Sequence, residues 1–367
     1  MMKKILLALC AVSMLTMFSC KDKPEDNPGG GGNTPQQEED TSGDGYFMPS
    51  VRISHILFSD DTPPELWVWE DQLLASIDES DNCGGSTPVS TFTYNGLRLS
   101  QMNSTIMDVP MTVDYTYNGK LLKSITASSS GMPMLQASFN RNNDNKISSA
   151  DLQLNDIMVQ MLLQSLLQQL GQGGDDNGDD EGGETMALML KHCKGNKFSL
   201  QSTDFDLHID WTGDNATRVL LAGTVNFTIT VEEARNLMNY DTSMATYSAM
   251  LGMLGNNTEL PVALTIADTI TYTYDNNPSP YLGFLGSLDI TILSANNVEN
   301  SANHGSLNAD ITIPLSSVIS FMSDQHIPFG YTLPERITSN SYTYYSNGYP
   351  QTVTDQDNNT KEIFYVE

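Results

Sequence analysis

The stretch most suggestive of chemistry runs Asn140-Arg141-Asn142-Asn143-Asp144-Asn145-Lys146-Ile147-Ser148-Ser149-Ala150-Asp151. Side-chain oxygens fall at alternate positions (Asn140, Asn142, Asp144), an apolar residue stands eighth and a carboxylate, Asp151, twelfth. Hard oxygen donors at that spacing are what a loop needs to wrap a calcium ion. Only two of the four ligands are charged and Asn145 occupies the place of the usual glycine, so any Ca2+ held here is held weakly. The segment also falls where a repeating hairpin puts a turn, and a worn copy of that hairpin is its plainer reading.

A second row, Asp204, Asp206, His208 and Asp210, alternates with Phe205, Leu207, Ile209 and Trp211. On a strand the four polar groups share a face at about 7 Å intervals, a spacing open to cation binding or acid–base work and equally to a solvated face. The acidic tract Asp175 to Glu184 fails the calcium template, because Asp180 sits where glycine is needed and Met186 where the closing carboxylate belongs. His55, His192, His304 and His326 have no metal-ligand spacing, and no G-x-S-x-G, H-E-x-x-H, phosphate-loop or dinucleotide fingerprint occurs. A pair of carboxylates acting on a glycosidic bond is defined in space, so the sequence leaves that chemistry open. Trp67, Tyr94, Tyr117, Tyr274, Tyr344 and Tyr349 either stack on sugar rings or fill a core, and core is the default at alternating strand positions.

These residues ride on a repeating element. Val113, Tyr115 and Tyr117 alternate with Asp114 and Thr116, Asn118-Gly119 supplies turn chemistry, and Leu121 opens a return strand. The same phrase recurs at Trp67 to Ile77, at Phe92 to Met102 and, degenerate, at Phe139 to Asn143. The equivalent anchors Trp69, Tyr94, Tyr117 and Arg141 lie 25, 23 and 24 residues apart, the length of two strands and two turns. Further copies are expected at Phe205–Asp214, Tyr272–Asn277 and Tyr342–Gly348. Alternation also marks strands at Val225–Val231, at Leu288, Ile290 and Ile292, and at Ile311 and Ile313. One apolar and one polar face per strand means a sheet that covers a core on one side only.

The fold class is therefore mainly β: a large antiparallel meander of roughly 24-residue hairpin repeats, curled towards a barrel. Two or three short Met- and Leu-rich helices are inserted, at Ile157 to Leu170, within Glu232 to Leu254, and at Leu315 to Met322. The 19 methionines suit an irregular core or an adaptable apolar pocket. Residues 173–184, acidic and glycine-rich, read as a disordered loop.

The N-terminus resembles a bacterial lipoprotein signal: Lys3 and Lys4, an apolar run Ile5–Met17, then Phe18-Ser19-Cys20. The resemblance implies a signal peptide over residues 1–19, acylation of Cys20 and anchorage in the lipid bilayer through it. Lys21 after the cysteine points to the outer membrane, and the run Lys21–Asp26 to the cell surface. Residues 20–45 then form a flexible tether with a reach of about 25–30 Å, and residues 46–367 a single β-rich domain. Cys83 and Cys193 remain, either as a disulfide or as two buried thiols. Net charge is −28, and −30 once Lys3 and Lys4 leave with the signal; a field of that sign excludes nucleic acid as a partner.

The Asn140–Asp151 spacing resembles one loop of an EF-hand or dockerin module. The phrases Phe92–Met102, Tyr115–Ile125 and Ile337–Val353 together resemble a Bacteroidetes family of secreted lipoproteins of unknown function with a porin-like fold. They are also similar to the tyrosine-aspartate repeats of bacterial shell-forming toxins, without the glycine-arginine element. The family resemblance implies a many-stranded antiparallel sheet curled towards a barrel and implies no activity. A membrane pore is not expected, because no regular lipid-facing apolar band is visible. The expected role is a non-enzymatic outer-membrane lipoprotein, exposed at the surface, that binds a glycan or an apolar molecule. The alternatives are a polysaccharide hydrolase using a carboxylate pair and a structural envelope protein.

Overall fold

The computed structural model describes residues 43–80, 85–106, 109–159, 161, 202–238, 245–287, 290–317 and 319–366. Cys20, Cys83, Cys193, the signal, the acidic loop 173–184 and most of the Ile157–Leu170 stretch lie outside the described residues.

Among the described residues seventeen strands make one antiparallel sheet. They are β1 (Ile53–Phe58), β2 (Glu65–Glu70), β3 (Leu73–Ser80), β4 (Ser86–Asn95), β5 (Arg98–Ile106), β6 (Val109–Asn118), β7 (Leu121–Ser129), β8 (Met132–Arg141) and β9 (Ile147–Leu154). There follow β10 (Ser202–Thr212), β11 (Asn215–Thr230), β12 (Glu259–Pro278), β13 (Asn296–Ile313), β14 (Gln325–Thr332), β15 (Arg336–Tyr344), β16 (Pro350–Asp355) and β17 (Thr360–Tyr365). Each strand pairs with the next in sequence up to β13, β15 continues the wall, and β17 returns to β1. The meander thus closes into a barrel of 16 strands, with β14 as the extra one.

The hairpin repeat has a physical cause. In each copy the return strand carries one extra residue just after the turn: Ala75, Ser100, Lys123, Ser148, Thr217 and Gln351 all fall at a register shift. Such bulges bend a strand and increase its twist, which favours closure of a sheet. Opposite most of these bulges stands an anchor that donates sideways to the neighbouring hairpin. Trp69 Nε1 bonds the Ile53 carbonyl (2.7 Å), Tyr94 OH that of Leu74 (2.9 Å), Tyr117 OH that of Leu99 (2.7 Å), and Trp211 Nε1 that of Ile147 (2.7 Å). Arg141 takes the same part in the degenerate copy, reaching Leu122 O.

The turn residues differ slightly from expectation. Asn118 ends its strand and Gly119 alone takes the positive φ (59°), with Lys120 completing a two-residue loop. Gly96, Gly213 and Asp71 occupy the same position with φ of 64°, 56° and 53°; a first central residue with φ above zero matches the right-handed twist of a hairpin.

Two elements depart from the meander. The segment expected to be a strand at Ile290 and Ile292 is a 3-10 helix, Ile290–Leu293, and Tyr272–Asn277 leads into a long loop rather than a tight turn. Short apolar runs fit a strand and a buried helical turn equally well. The described parts of this loop, residues 279–287 and 290–295, fill the barrel: Phe284, Leu285, Ile290 and Ile292 are buried, and Leu285 O accepts a bond from Tyr115 OH of β6 (3.0 Å). Phe47, from the chain entering at the turn end, packs on Phe284 (4.8 Å) and Trp69 (5.8 Å). Asp44 ties that entry to Arg141 and to Leu122 N.

The opposite end is closed by helices. α1 (Val231–Met238) is capped by a reciprocal pair in which Thr230 N bonds Glu233 Oε2 and Glu233 N bonds Thr230 Oγ1. α2 (Ala245–Leu251) follows it. Residues 156–159 are helical behind Asn155, whose Oδ1 accepts from Met158 N (3.0 Å). The expected third helix is only a 3-10 turn, Leu315–Ser317.

The two faces of the wall are chemically opposite. Along β12, Leu260, Val262, Leu264, Ile266 and Ile270 are buried inside, while Thr265, Thr269, Thr271 and Thr273 point out. The outer face of β11 adds Thr224, Asn226 and Thr228, and that of β13 Asn300, Ser306 and Asn308.

Candidate functional site

The calcium-like spacing forms a β-hairpin turn. Asn142 Oδ1 accepts from Asp144 N and Lys146 N (both 3.0 Å), and Asn145 takes φ 62°. Asn140 lies in β8 opposite Ser149, and Asp151 lies in β9 opposite Ser138, so Asn140 and Asp151 share the outer face diagonally while Asp144 stays in the turn. Among the described residues no group of three or more His, Cys, Asp or Glu is placed to hold a metal.

The acidic row lies on the outer face of β10, and the structure supplies the strands beside it. Asp206 is directly opposite Asp151, His208 opposite Ser149, and Asp210 pairs with Arg218 (3.2 Å). Two carboxylates facing each other across a ladder repel.

The six singled-out aromatics belong to the wall and its staples. Trp67 is buried against Phe284 (5.2 Å) and near Tyr281 (6.1 Å). Tyr274 OH donates to Ala216 O (2.6 Å), and Tyr344 OH bonds Asp275; burial of the phenol, and then the Asp275 carboxylate, push it up to about 12. Tyr349 OH is within 2.7 Å of Ser50 Oγ.

Among the described residues, burial raises carboxyls at two places on the inner face. The first begins β2, where Glu65 shares the inner face with Trp67 and Trp69 and stands directly opposite Glu79 of β3. Burial raises the Glu65 carboxyl; Lys361 and the Trp67 indole oppose that, and the Glu79 charge adds to it. Glu79 is raised by burial as well. The buried Trp67 Nε1 approaches this carboxylate without completing a well-aligned hydrogen bond.

The second is on β12, where Asp268 is 3% exposed among Leu264, Ile266 and Ile270. Asn303 Nδ2 donates to its Oδ2 (3.0 Å), while Oδ1 is without a partner among the described residues. Burial pushes its carboxyl up to about 6, against the pull of Asn303 and His304. Gly305 stands opposite; a Cβ there would meet Asp268 Oδ1 at 3.3 Å and Leu333 Cδ1 at 2.5 Å.

The wall is irregular beside Asp268. β14 and β15 follow one another along β13, with Thr332 opposite Ser306 and Arg336 opposite Asn303. Leu333, Pro334 and Glu335 therefore occupy the length of two β13 residues, His304 and Gly305. On the outer face His304 Nε2 meets Glu335 Oε1 at 3.3 Å.

Neither Glu65 nor Asp268 was singled out from sequence. The available signal was parity: each occupies an inward position of its own strand, where apolar residues are the rule. Strand parity within Ile266–Ile270 shows Asp268 in that position, whereas its pairing with Asn303 requires the ladder.

No family model matches the chain, and no curated protein matches it. Among solved structures it is similar to a porin-like protein from Bacteroides uniformis, at 10% identity and a TM-score of 0.36, covering 88% of this chain and 98% of that one.

Proposed function

We propose that the chain is an outer-membrane lipoprotein, anchored through Cys20 and exposed at the cell surface, whose barrel is a non-enzymatic binding module for a glycan or an apolar molecule. The observation that carries this reading is the polarity of the wall. A barrel that spans a bilayer turns an apolar band about 25 Å tall outwards and keeps its lumen polar; this one turns threonine, serine and asparagine outwards and packs its interior with Leu, Ile and Phe. Such a wall suits water, so attachment falls to the acyl chains. The described residues begin at the turn end, where Gly43 lies against Lys120, and this supports a tether arriving from that side.

A second reading, a hydrolase acting on polysaccharide, is favoured by one feature, the Glu65–Glu79 pair. One carboxyl raised by burial beside a more exposed one is the division of labour that glycosidic cleavage uses. Glycan-array binding with the detergent-solubilised full chain, followed by product analysis, separates the two. Binding without turnover is expected. Turnover abolished by both E65Q and E79Q would replace the first reading with the second, and neither binding nor turnover would leave a structural envelope protein.

A further inference from the structure

We propose that Asp268, Asn303 and Arg336 form a recessed site for a small ligand carrying a carboxylate and, close to it, an ammonium or hydroxyl donor. The inference rests on the reading that the barrel is a binding module, and it names the place and the chemistry. The three residues lie on three successive strands of the wall. Asp268 and Asn303 are joined by a hydrogen bond of 3.0 Å, and Arg336 is directly opposite Asn303, hence on the same inner face.

Their valences are unequal to one another. A carboxylate buried to 97% of its surface has one oxygen satisfied and one, Oδ1, open among the described residues. Unsatisfied buried acceptors are rare in folded proteins, because each forfeits the hydration it had in the unfolded chain. Arg336, half-buried at the start of β15, makes no hydrogen bond or ion pair among the described residues. The nearest ion pair, His304–Glu335, is spent on the outer face.

A carboxylate on the ligand suits the guanidinium, whose planar fork donates two parallel bonds to it. A donor two or three bonds away suits Oδ1. Simple anions satisfy only half of this set, and simple sugars or amines only the other half. The wall is irregular here: Gly305 carries no side chain, the flexible end of Leu333 packs into the space beside Oδ1, and the three-for-two bulge at Leu333–Glu335 re-aims the strand that carries Arg336. Bulges recur beside binding sites for this reason.

Two kinds of small molecule share this chemistry, α-amino acids and uronic acids. They differ in charge at the donor. An ammonium at Oδ1 favours the ionised form of a carboxyl that burial, against the pull of Asn303 and His304, pushes up to about 6. Amino-acid binding therefore releases a proton near pH 6, whereas a hydroxyl releases little.

The experiment is isothermal titration of the detergent-solubilised full chain at pH 6 with L-alanine and D-galacturonate, and with propionate and glucose as half-matched controls. Each is repeated in buffers of differing ionisation heat to count protons, and the chain is also run on a glycan array. At least one doubly matched probe is expected to bind at least tenfold more tightly than either control. R336Q weakens it at least tenfold, and D268N does the same while removing proton release from the amino-acid arm. R336Q alters a half-buried side chain and D268N preserves volume, so both variants stay folded, as cooperative melting at or above the wild-type temperature would show. Binding of neither probe, or binding indifferent to both substitutions, overturns the site. A glycan bound on the array with an affinity that both substitutions leave unchanged refutes this site and keeps the wider reading; no binding of probe or array ligand by the wild-type chain defeats both.

Discussion

The wall of this barrel is built in two ways. From β2 to β9 it is made of short hairpins, 6 to 10 residues per strand, each a near copy of the last. From β11 to β13 it is made of strands of 16, 20 and 18 residues with no internal repeat. The short hairpins take their stability from a local device repeated along the chain, in which a bulge after each turn and an indole or phenol hydroxyl tie each hairpin to the one before. Regularity of that kind leaves little room for exceptions, and most inward positions of β5 to β9 are filled by Leu, Ile, Val, Met or Ala. The long strands are held by extended ladders and by the loop and helices they carry. The short wall carries one exception at its start, the Glu65–Glu79 pair, and the long strands carry the rest: Asp268, Asn303, a glycine packed against Leu333, and a strand interrupted by three residues. A tall wall can carry a polar defect because many neighbouring pairs share its cost.

Substitutions can break or sharpen that contrast. The largest effect is expected in the filling that both walls share. Phe284→Ala removes a ring, 4% exposed, that touches Phe47, Trp67 and Phe92 at once, and it should cost about 3–5 kcal/mol, read as a fall in Tm.

Next comes the defect of the tall wall. Asp268 has its folded pKa raised to about 6 from 3.8, so the charged form is the disfavoured one. Its protonated state is favoured below 3.8, and the wild type loses stability as pH rises through 6. Asp268→Asn should therefore be more stable than wild type by about 2–3 kcal/mol at pH 7.5, with the gap closing towards pH 4. Denaturation at the two pH values measures it, and a gap independent of pH would contradict the buried-charge account.

Smaller and more uniform losses are expected among the staples. Tyr94→Phe and Tyr117→Phe should each cost about 1 kcal/mol, since each deletes one hydrogen bond to a neighbouring carbonyl and leaves the ring in place. If Tyr274→Phe, on the long strand β12, costs no less, the staple is a property of the whole barrel rather than of its short wall. The smallest effect lies outside: Asp206→Asn relieves the facing charge of Asp151 and should stabilise by a few tenths of a kcal/mol, vanishing in high salt.

The short wall was legible in the sequence because its signals are local. Period-2 alternation, a turn residue able to take positive φ, and an anchor every two dozen positions are all written within one hairpin. What the anchor does was not legible, since Tyr117 serves Leu99 and Arg141 serves Leu122 across a strand boundary that only the register defines. The expectation of a sheet curled towards a barrel was sound for the same local reason, while the stuffing by residues 279–287 and 290–295 was missed: Ile290 and Ile292 alternate like a strand but lie in a buried helical turn. The oxygen-rich spacing at Asn140–Asp151 shows the reverse case, a one-dimensional pattern that the hairpin lays out along a strand and its turn. The interior carboxylates were the least visible. Asp268 and Glu65 carry no motif, and their partners come from strands 35 and 14 residues away.

Cysteine accessibility along β12 tests the central claim, that the wall faces water outside and its own filling inside. In a background with Cys83 and Cys193 replaced by serine, Thr265, Thr269 and Thr271 alternate with Leu264, Ile266 and Ile270 as single cysteine sites. A water-soluble maleimide should label the three threonine positions rapidly in the folded full-length chain in the presence of lipid and spare the other three until denaturant is added. Protection of the threonine positions by lipid, with labelling of Leu264, Ile266 and Ile270 from an aqueous lumen, would mean a membrane pore and would contradict the account.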